Sequence, residues 1–308
     1  MIHITQGHQK GIGLEVLFKS LVFFNQKSID EMTLYCSKID LVSTLKFLPY
    51  SYIINDNSIE LHGKKLVCKF IENSEYISTD SLICSLENIR PSDVLFTLPT
   101  SKDQLILGGE VKHGYTEFFR TYFNKKIIAM IFMSARERVA LLSDHIPVSE
   151  ISKSLTTDFI KEKTELIITS IQKYFYKLDE VIMTGINPHS GENGRLGHED
   201  SNIEEVLSHL KNTFDDIKFN TKPVPADTVQ YHRRNSVNQL IIYASHDQAL
   251  TTFKDRNGIL GLNITLGLPF LRISVDHGTA FELYQKNKAD STGCFFCLKH
   301  ALLWNNKK

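Results

Sequence analysis

The amino-acid sequence predicts an α/β layered fold with a largely parallel core. Short apolar runs alternate with amphipathic stretches, which is the pattern of strand–helix–strand units. The chain has 308 residues, enough for one large or two medium cores. No internal repeat, low-complexity tract or long linker interrupts it, so any two domains pack closely with a cleft between them. Runs at 2–5, 32–36, 94–98, 126–133, 139–142, 181–186, 240–244 and 271–275 read as strands. Between them, 158–174 (DFIKEKTELIITSIQKY) and 202–214 (NIEEVLSHLKNTF) space their apolar residues at three and four, as amphipathic helices do.

Composition narrows the function classes. Hydrophobic residues at 42% and charged residues at 23% describe a globular chain, not a disordered one. Thirty-five Lys+Arg balance 35 Asp+Glu, which leaves no basic footprint for nucleic acid but room for a small local basic site. No apolar stretch approaches the roughly 20 residues of a membrane-spanning helix. The start, MIHITQGHQKGIG, has neither the basic nor the long apolar region of a signal peptide. Five cysteines in a chain of this length argue for a reducing compartment, and the expected location is the cytoplasm. Cys294-Phe-Phe-Cys297 has the spacing of half a zinc site, but no second pair exists. The run CFFCLKHALLW reads as a packed helix with two small hydrophobic cysteines.

In parallel α/β sheets ligands collect beyond the carboxyl ends of the strands, so the residues just after each apolar run carry the chemistry. Three runs end in a histidine with a polar neighbour: Asp144-His145, Asn187-Pro188-His189 and Ser245-His246-Asp247. Each one alone is explained by a turn and a hydrogen-bonded ring. Three together admit a catalytic divalent-metal site, because imidazole suits such ions and three ligands leave a position open. Asp144, Asn187 and Asp247 would then orient the rings. Both readings stay open from spacing alone, since no local motif joins the three.

Downstream, Lys254, Asn263 and Arg272 form a set able to bind an anionic oxygen cluster. Each also reads as ordinary surface, except Arg272, whose charge inside LPFLRISV requires a partner. The N-terminal GHQKGIG is a glycine-rich turn that could hold an anion, but it lacks dinucleotide-fingerprint spacing.

The strings NPHSGENGRLGHED, PADT, HDQALTTFK, GLNITLGLPFLR and SVDHGTAFEL resemble those of the 4-hydroxythreonine-4-phosphate dehydrogenase family of vitamin B6 biosynthesis. Weaker echoes are ITQGHQKGIGLE, LPTSKDQL, GYTEFF and RVALLSDHIP, so the resemblance runs through nearly the whole chain. It implies a two-lobed α/β/α fold of the isocitrate/isopropylmalate dehydrogenase type with the active site in the interdomain cleft. The lobes expected are 1–123 with 278–308, and 124–277, the latter carrying the metal ligands and the dimer interface.

For the site, the resemblance implies a divalent cation (Zn, Co, Mg or Mn) on His145, His189 and His246, shared between the subunits of a homodimer. It assigns Tyr115, Thr116, Lys254, Asn263 and Arg272 to a phosphorylated hydroxy-amino-acid substrate. Asp247, Asp227 and Lys102 are the candidate proton-transfer residues. NAD or NADP would be held by His277, Gly278, Thr279, Ala280 and Asp290, in a loop that replaces the usual Rossmann fingerprint. The reaction implied is oxidation of 4-hydroxythreonine 4-phosphate to 2-amino-3-oxo-4-phosphooxybutanoate, which decarboxylates to 3-amino-2-oxopropyl phosphate.

Three departures from the family pattern stand out. Its GHTE is GYTE here, which puts Tyr115 in place of a histidine. The opening motif, usually GDPAGIGPE or GEPAGIGPE, is GHQKGIGLE. The cofactor-side AGTGKAD is YQKNKAD, where Gln285 and Asn287 stand for glycines. They admit two alternatives: a dehydrogenase of threonate or erythronate 4-phosphate, or a metabolite-binding homologue without catalysis.

Overall fold

The computed structural model describes residues 1–72, 74–234 and 238–306. Its contacts divide the chain into two compact units, Met1–Lys125 with Leu268–Lys308, and Lys126–Gly267.

The first unit begins β1 (Ile2–Thr5), α1 (Gly13–Leu21), α2 (Gln26–Ile29), β2 (Met32–Ser37) and α3 (Lys38–Leu45). It continues with β3 (Tyr52–Ile54), β4 (Ser58–Leu61), β5 (Lys64–Ile71), α4 (Ile77–Leu86) and β6 (Val94–Thr97). A small hairpin, β7 (Ile106–Leu107) and β8 (Glu110–Val111), leads to α5 (Tyr115–Tyr122). The second unit holds β9 (Ala129–Met133), β10 (Arg138–Leu141), α6 (Ile151–Ser154), α7 (Thr157–Tyr174) and β11 (Glu180–Met183). It ends with α8 (Asp200–Thr213), β12 (Lys218–Phe219), β13 (Gln239–Tyr243), α9 (His246–Asn257) and β14 (Leu262–Leu266). The chain then returns to the first unit for β15 (Leu271–Val275) and α10 (Thr292–Asn305).

In the first unit the strands lie in the order β15-β6-β1-β2-β5-β4-β3. The pairs from β15 to β5 are parallel, and β4 pairs antiparallel with β5 and β3. β1 (IHIT) and β6 (VLFT) are buried throughout, as central strands covered on both faces must be. The strands β3 to β5 escape a search for apolar runs because β3, the edge, and β4 are short, and β5 is lysine-rich and alternates exposed with buried residues.

The second unit orders its strands β12-β11-β13-β10-β9-β14. β12, β11, β13 and β10 run parallel, whereas β9 is antiparallel to both β10 and β14. The reversal follows from a tight return at 134–137, too short for a crossover helix. α7 starts where Thr156 caps the backbone N–H of Phe159, and it buries Ile160, Ile167, Ile168 and Ile171 at helical spacing.

β11 stops earlier than its apolar run. Gly185 leaves the sheet where a Cβ would lie 2.6 Å from both Asp200 Oδ1 and Ser190 Oγ, so only glycine lets the chain turn there. Cys294 and Cys297 lie on α10 and are fully buried. Burial pushes the Cys294 thiol up to about 12, and the pair packs as small hydrophobes.

Candidate functional site

In the second unit, β10, β11 and β13 carry their ends toward one cavity of about 710 Å³, lined among others by Asp144, His145, Asn187, Ser245, His246 and Asp247. His145 follows β10 and His246 opens α9. Their rings lie 5.1 Å apart between centroids, tilted by 49°. Two bonds from Ser143 to the Ala244 carbonyl, backbone N at 3.0 Å and Oγ at 2.8 Å, clamp the two strand ends together.

His246 Nδ1 is 2.7 Å from Asp247 Oδ1. A ring that donates there from Nδ1 keeps its lone pair on Nε2, the form a metal ligand needs. Asp144, the neighbour of His145, accepts from Lys163 Nζ at 2.7 Å. Lys163 sits on α7 with only 1% of its side chain exposed, and a lysine so buried requires such a partner.

The remaining support was not legible as site chemistry in the sequence. Ser245 and Gln248 form a capping box at the start of α9. The same glutamine donates from Nε2 to the Gly185 carbonyl at 3.2 Å, so one side chain joins the ends of β13 and β11. Asp200, buried at the start of α8, accepts from the backbone of Ile186 at 2.7 Å and of Asn187 at 3.2 Å, and from Asn187 Nδ2 at 3.0 Å. Asn187 Nδ2 also reaches Glu199 Oε2 at 2.8 Å, so it orients the loop rather than an imidazole. The local signals for these residues are the Ser-x-x-Gln spacing of 245–248 and the acidic pair Glu199-Asp200 that opens α8 after the glycine-rich loop.

That loop does something unusual. His189, Ser190, Gly191, Glu192 and Asn193 all have positive φ, between 45° and 75°. Left-handed backbone is disfavoured for side chains with a Cβ, and the Asp200 bonds to Ile186 and Asn187 fix the chain where it enters this stretch. The loop turns His189 toward a second cavity, of about 340 Å³, with His198, Asp200, Glu204 and Lys222. Its side chain is 68% exposed and Nδ1 lies 3.9 Å from Glu192 Oε1. Within one chain, therefore, His145 and His246 meet and His189 faces elsewhere. Among the described residues no three His, Cys, Asp or Glu side chains are grouped to hold a metal.

Lys254 is exposed on α9 and Asp227 is exposed in the loop before β13. Asn263, on β14, is half-buried, and its Oδ1 has no hydrogen-bond partner among the described residues. A buried, unsatisfied amide oxygen is costly and marks a place for a polar ligand.

The first unit holds the other expected residues. Arg272, 3% exposed on β15, donates from Nε and Nη2 to Thr97 Oγ1 at 3.2 and 2.6 Å. Its guanidinium carbon lies 4.8 Å from the Tyr115 ring centroid and 5.9 Å from that of Phe119. Burial lowers its pKa to about 10, with Tyr115 opposing, so the group stays cationic at neutral pH. Tyr115 donates to the Leu98 carbonyl at 3.0 Å, and burial raises its hydroxyl to about 12. Thr116 is half-buried beside it on α5, and Lys102 is exposed after β6.

At the 277–280 loop, His277 Nδ1 meets the Gly278 carbonyl oxygen at 3.0 Å, and Nε2 is buried without a partner among the described residues. Thr279 accepts from the Ile12 N–H at 3.0 Å, which docks this loop on the N-terminal glycine-rich turn. Ala280 takes a φ of +45°. Asp290 accepts from the Thr292 N–H at 2.8 Å, and its bonds to Thr292 hold its carboxyl below the usual range. Gln285 and Asn287 have φ of +59° and +54°. The backbone thus keeps a glycine-type conformation at both positions where the residue is no longer glycine.

Parallel strands whose carboxyl ends gather imidazole and carboxylate are an arrangement that α/β enzymes use, and the known proteins similar to this chain are dehydrogenases. The family model of the pyridoxal phosphate biosynthetic protein PdxA matches residues 74–301. A 4-hydroxythreonine-4-phosphate dehydrogenase of Colwellia psychrerythraea is 36% identical over 239 residues, 76% of this chain and 72% of that protein. One from Sulfurihydrogenibium sp. is 29% identical over 316 residues, 97% of each. The crystal structure of the Klebsiella pneumoniae 4-hydroxythreonine-4-phosphate dehydrogenase shares the fold, with a TM-score of 0.80, 23% identity and 99% of both chains covered. The chain belongs to the PdxA family.

Among the described residues, no helix is long and apolar enough to cross a membrane.

Proposed function

We propose that this protein oxidises 4-hydroxythreonine 4-phosphate with NAD or NADP, in a step of pyridoxal phosphate biosynthesis, and that the 2-amino-3-oxo-4-phosphooxybutanoate formed decarboxylates to 3-amino-2-oxopropyl phosphate. The observation that carries the reading is the pairing of His145 with His246 at the ends of β10 and β13. Two imidazoles side by side, one held in a tautomer by Asp247, fit a Zn, Co, Mg or Mn ion in donor chemistry, most closely the first two. His189 is the third ligand. Its position in a separate cavity of the same chain supports a site completed across a homodimer. When bound, such a cation supplies Lewis acidity toward the substrate alcohol, and the nicotinamide supplies a hydride acceptor.

The protein's own groups supply the rest. Lys254 and Arg272 hold the anionic ends of the substrate, Arg272 with a planar fork pre-aimed by Thr97. Asn263 donates and accepts through an amide whose oxygen is otherwise unsatisfied. Tyr115 and Thr116 are the further substrate-binding candidates, Tyr115 contributing a neutral ring and hydroxyl where the family has histidine. Asp247, Asp227 and Lys102 are the proton-transfer candidates, and Asp247 is favoured by its contact with His246. The nicotinamide cofactor lies against His277, Gly278, Thr279, Ala280 and Asp290, where His277 Nε2 awaits a polar partner. The enzyme works in the cytoplasm.

The test is NADH or NADPH formation with 4-hydroxythreonine 4-phosphate, threonate 4-phosphate and erythronate 4-phosphate, with chelator and after metal is restored. Turnover of the first that a chelator stops and added metal restores is the expected result. Preference for a hydroxy acid without the amine would move the substrate. No turnover of any by metal-replete protein would leave a metabolite-binding homologue, a reading the left-handed Gln285 and Asn287 favour.

A further inference from the structure

At the opposite ends of the same strands lies a second cluster. Arg138 is the first residue of β10, Gln239 the first of β13 and Glu180 the first of β11, while Arg256 is in the last turn of α9. Arg136, Arg138, Arg233, Arg234 and Arg256 line one small cavity there with Glu137. Five guanidiniums thus face two carboxylates, and both carboxylates are already engaged. Glu137, 6% exposed, pairs with Arg233, lies 3.3 Å from Arg256 Nε and accepts from Asn257 at 2.6 Å. Glu180 takes Arg234 at 3.3 Å, Lys218 at 3.3 Å and Gln239 at 2.7 Å.

Arg138 pairs with neither carboxylate. It is 8% exposed, its guanidinium lies 5.3 Å over the ring of Tyr176, with whose hydroxyl it also interacts, and its Nε and Nη1 have no hydrogen-bond partner among the described residues. Arg233 donates to Tyr243 at 2.6 Å, yet its buried Nε also lacks a partner among them. A buried cation with unmet donors is costly, and an anion removes that cost.

We propose that this cluster is an oxyanion site that takes a phosphoryl group. The cavity, about 10 Å³, has room for one oxygen, about the size of a water. That oxygen meets Arg138 and Arg233, and the remaining oxygens stay at the mouth among the exposed Arg136, Arg234 and Arg256. Planar guanidinium forks match phosphoryl oxygens two at a time, and the excess of positive charge selects a dianion over a carboxylate. This site is separate from the His145–His246 cavity and stands whether or not the chain is a dehydrogenase.

The experiment titrates inorganic phosphate into the full chain by calorimetry at constant ionic strength. A Lys254→Met background weakens phosphate binding at the substrate site, which Arg272 also serves. Saturable binding that acetate and chloride do not displace is expected. Arg136→Gln with Arg256→Gln, both on the surface side, should weaken it about ten-fold, the sum of two partly exposed ion pairs. Glu137→Gln, which removes the competing carboxylate, should tighten it. Made in the native chain, with Lys254 kept, the double variant should leave dehydrogenase turnover unchanged. Loss of all phosphate binding in Lys254→Met alone, or an unchanged affinity in the Arg136/Arg256 double variant, would overturn the proposal.

Discussion

The Tyr115 ring stacks 4.8 Å from the guanidinium carbon of Arg272 while its hydroxyl is tied to the Leu98 carbonyl at 3.0 Å. The ring face and the hydroxyl therefore do separate jobs: one stabilises a buried cation and the other fixes the start of α5. A histidine at this position could itself be charged beside Arg272, whereas tyrosine stays neutral.

Substitutions at Tyr115 separate these jobs. Tyr115→Phe keeps the ring and loses one hydrogen bond, so urea unfolding should show a loss of about 1 kcal/mol. Tyr115→Ala removes the ring and opens a cavity, at about 3–5 kcal/mol. If Arg272 grips substrate as proposed, the alanine variant also raises KM and the phenylalanine variant barely does. Equal stability of the two variants would mean that the stacking contributes nothing.

Asp247→Asn should leave the fold intact, because its carboxylate is 89% exposed and bonds only His246 among the contacts described. The asparagine amide can present N–H to Nδ1 and reverse the tautomer. Metal titration should then show an affinity lower by about 10–100-fold. An unchanged affinity would show that the ring orients without Asp247.

Asp200→Ala strips acceptors from the N–H groups of Ile186 and Asn187 at once. Hydrogen bonds to a charged group are worth about 1.5–3 kcal/mol each, and here they fix the chain where it enters a left-handed stretch. The variant should be cleaved in the 187–199 loop by protease far faster than the native chain. Native-like resistance would assign the loop's conformation to its own residues.

His3 sets a pH dependence in the first unit. Burial depresses its pKa, against a hydrogen bond and charge from Asp93 that raise it. The unfolded chain, near pKa 6.5, binds a proton that the folded chain refuses, so stability is full above that pH and falls as pH drops toward the folded value. Chemical unfolding between pH 7.5 and about 5 should show this decline, and His3→Gln should flatten it. An identical slope in the variant would place the titration elsewhere.

How much of this was legible without coordinates depends on the range of the interaction. The apolar runs at 2–5, 94–98 and 240–244 became buried parallel strands because a strand's burial pattern is local, repeated every second residue or continuous. That His145 and His246 lie at one end of the sheet followed from parallel strand geometry, and the charge in LPFLRISV announced that Arg272 needed a partner. Its partners, Thr97 and Tyr115, are far away in the chain and only packing chose them. Lys163 reads as a solvated helix lysine until α7 docks and buries it against Asp144. Above all, three histidines at strand ends look equivalent in the sequence. Two meet and one turns away, because a capped left-handed loop after Asn187 reverses the chain, and its acceptor, Asp200, is supplied by the next helix rather than by the loop itself.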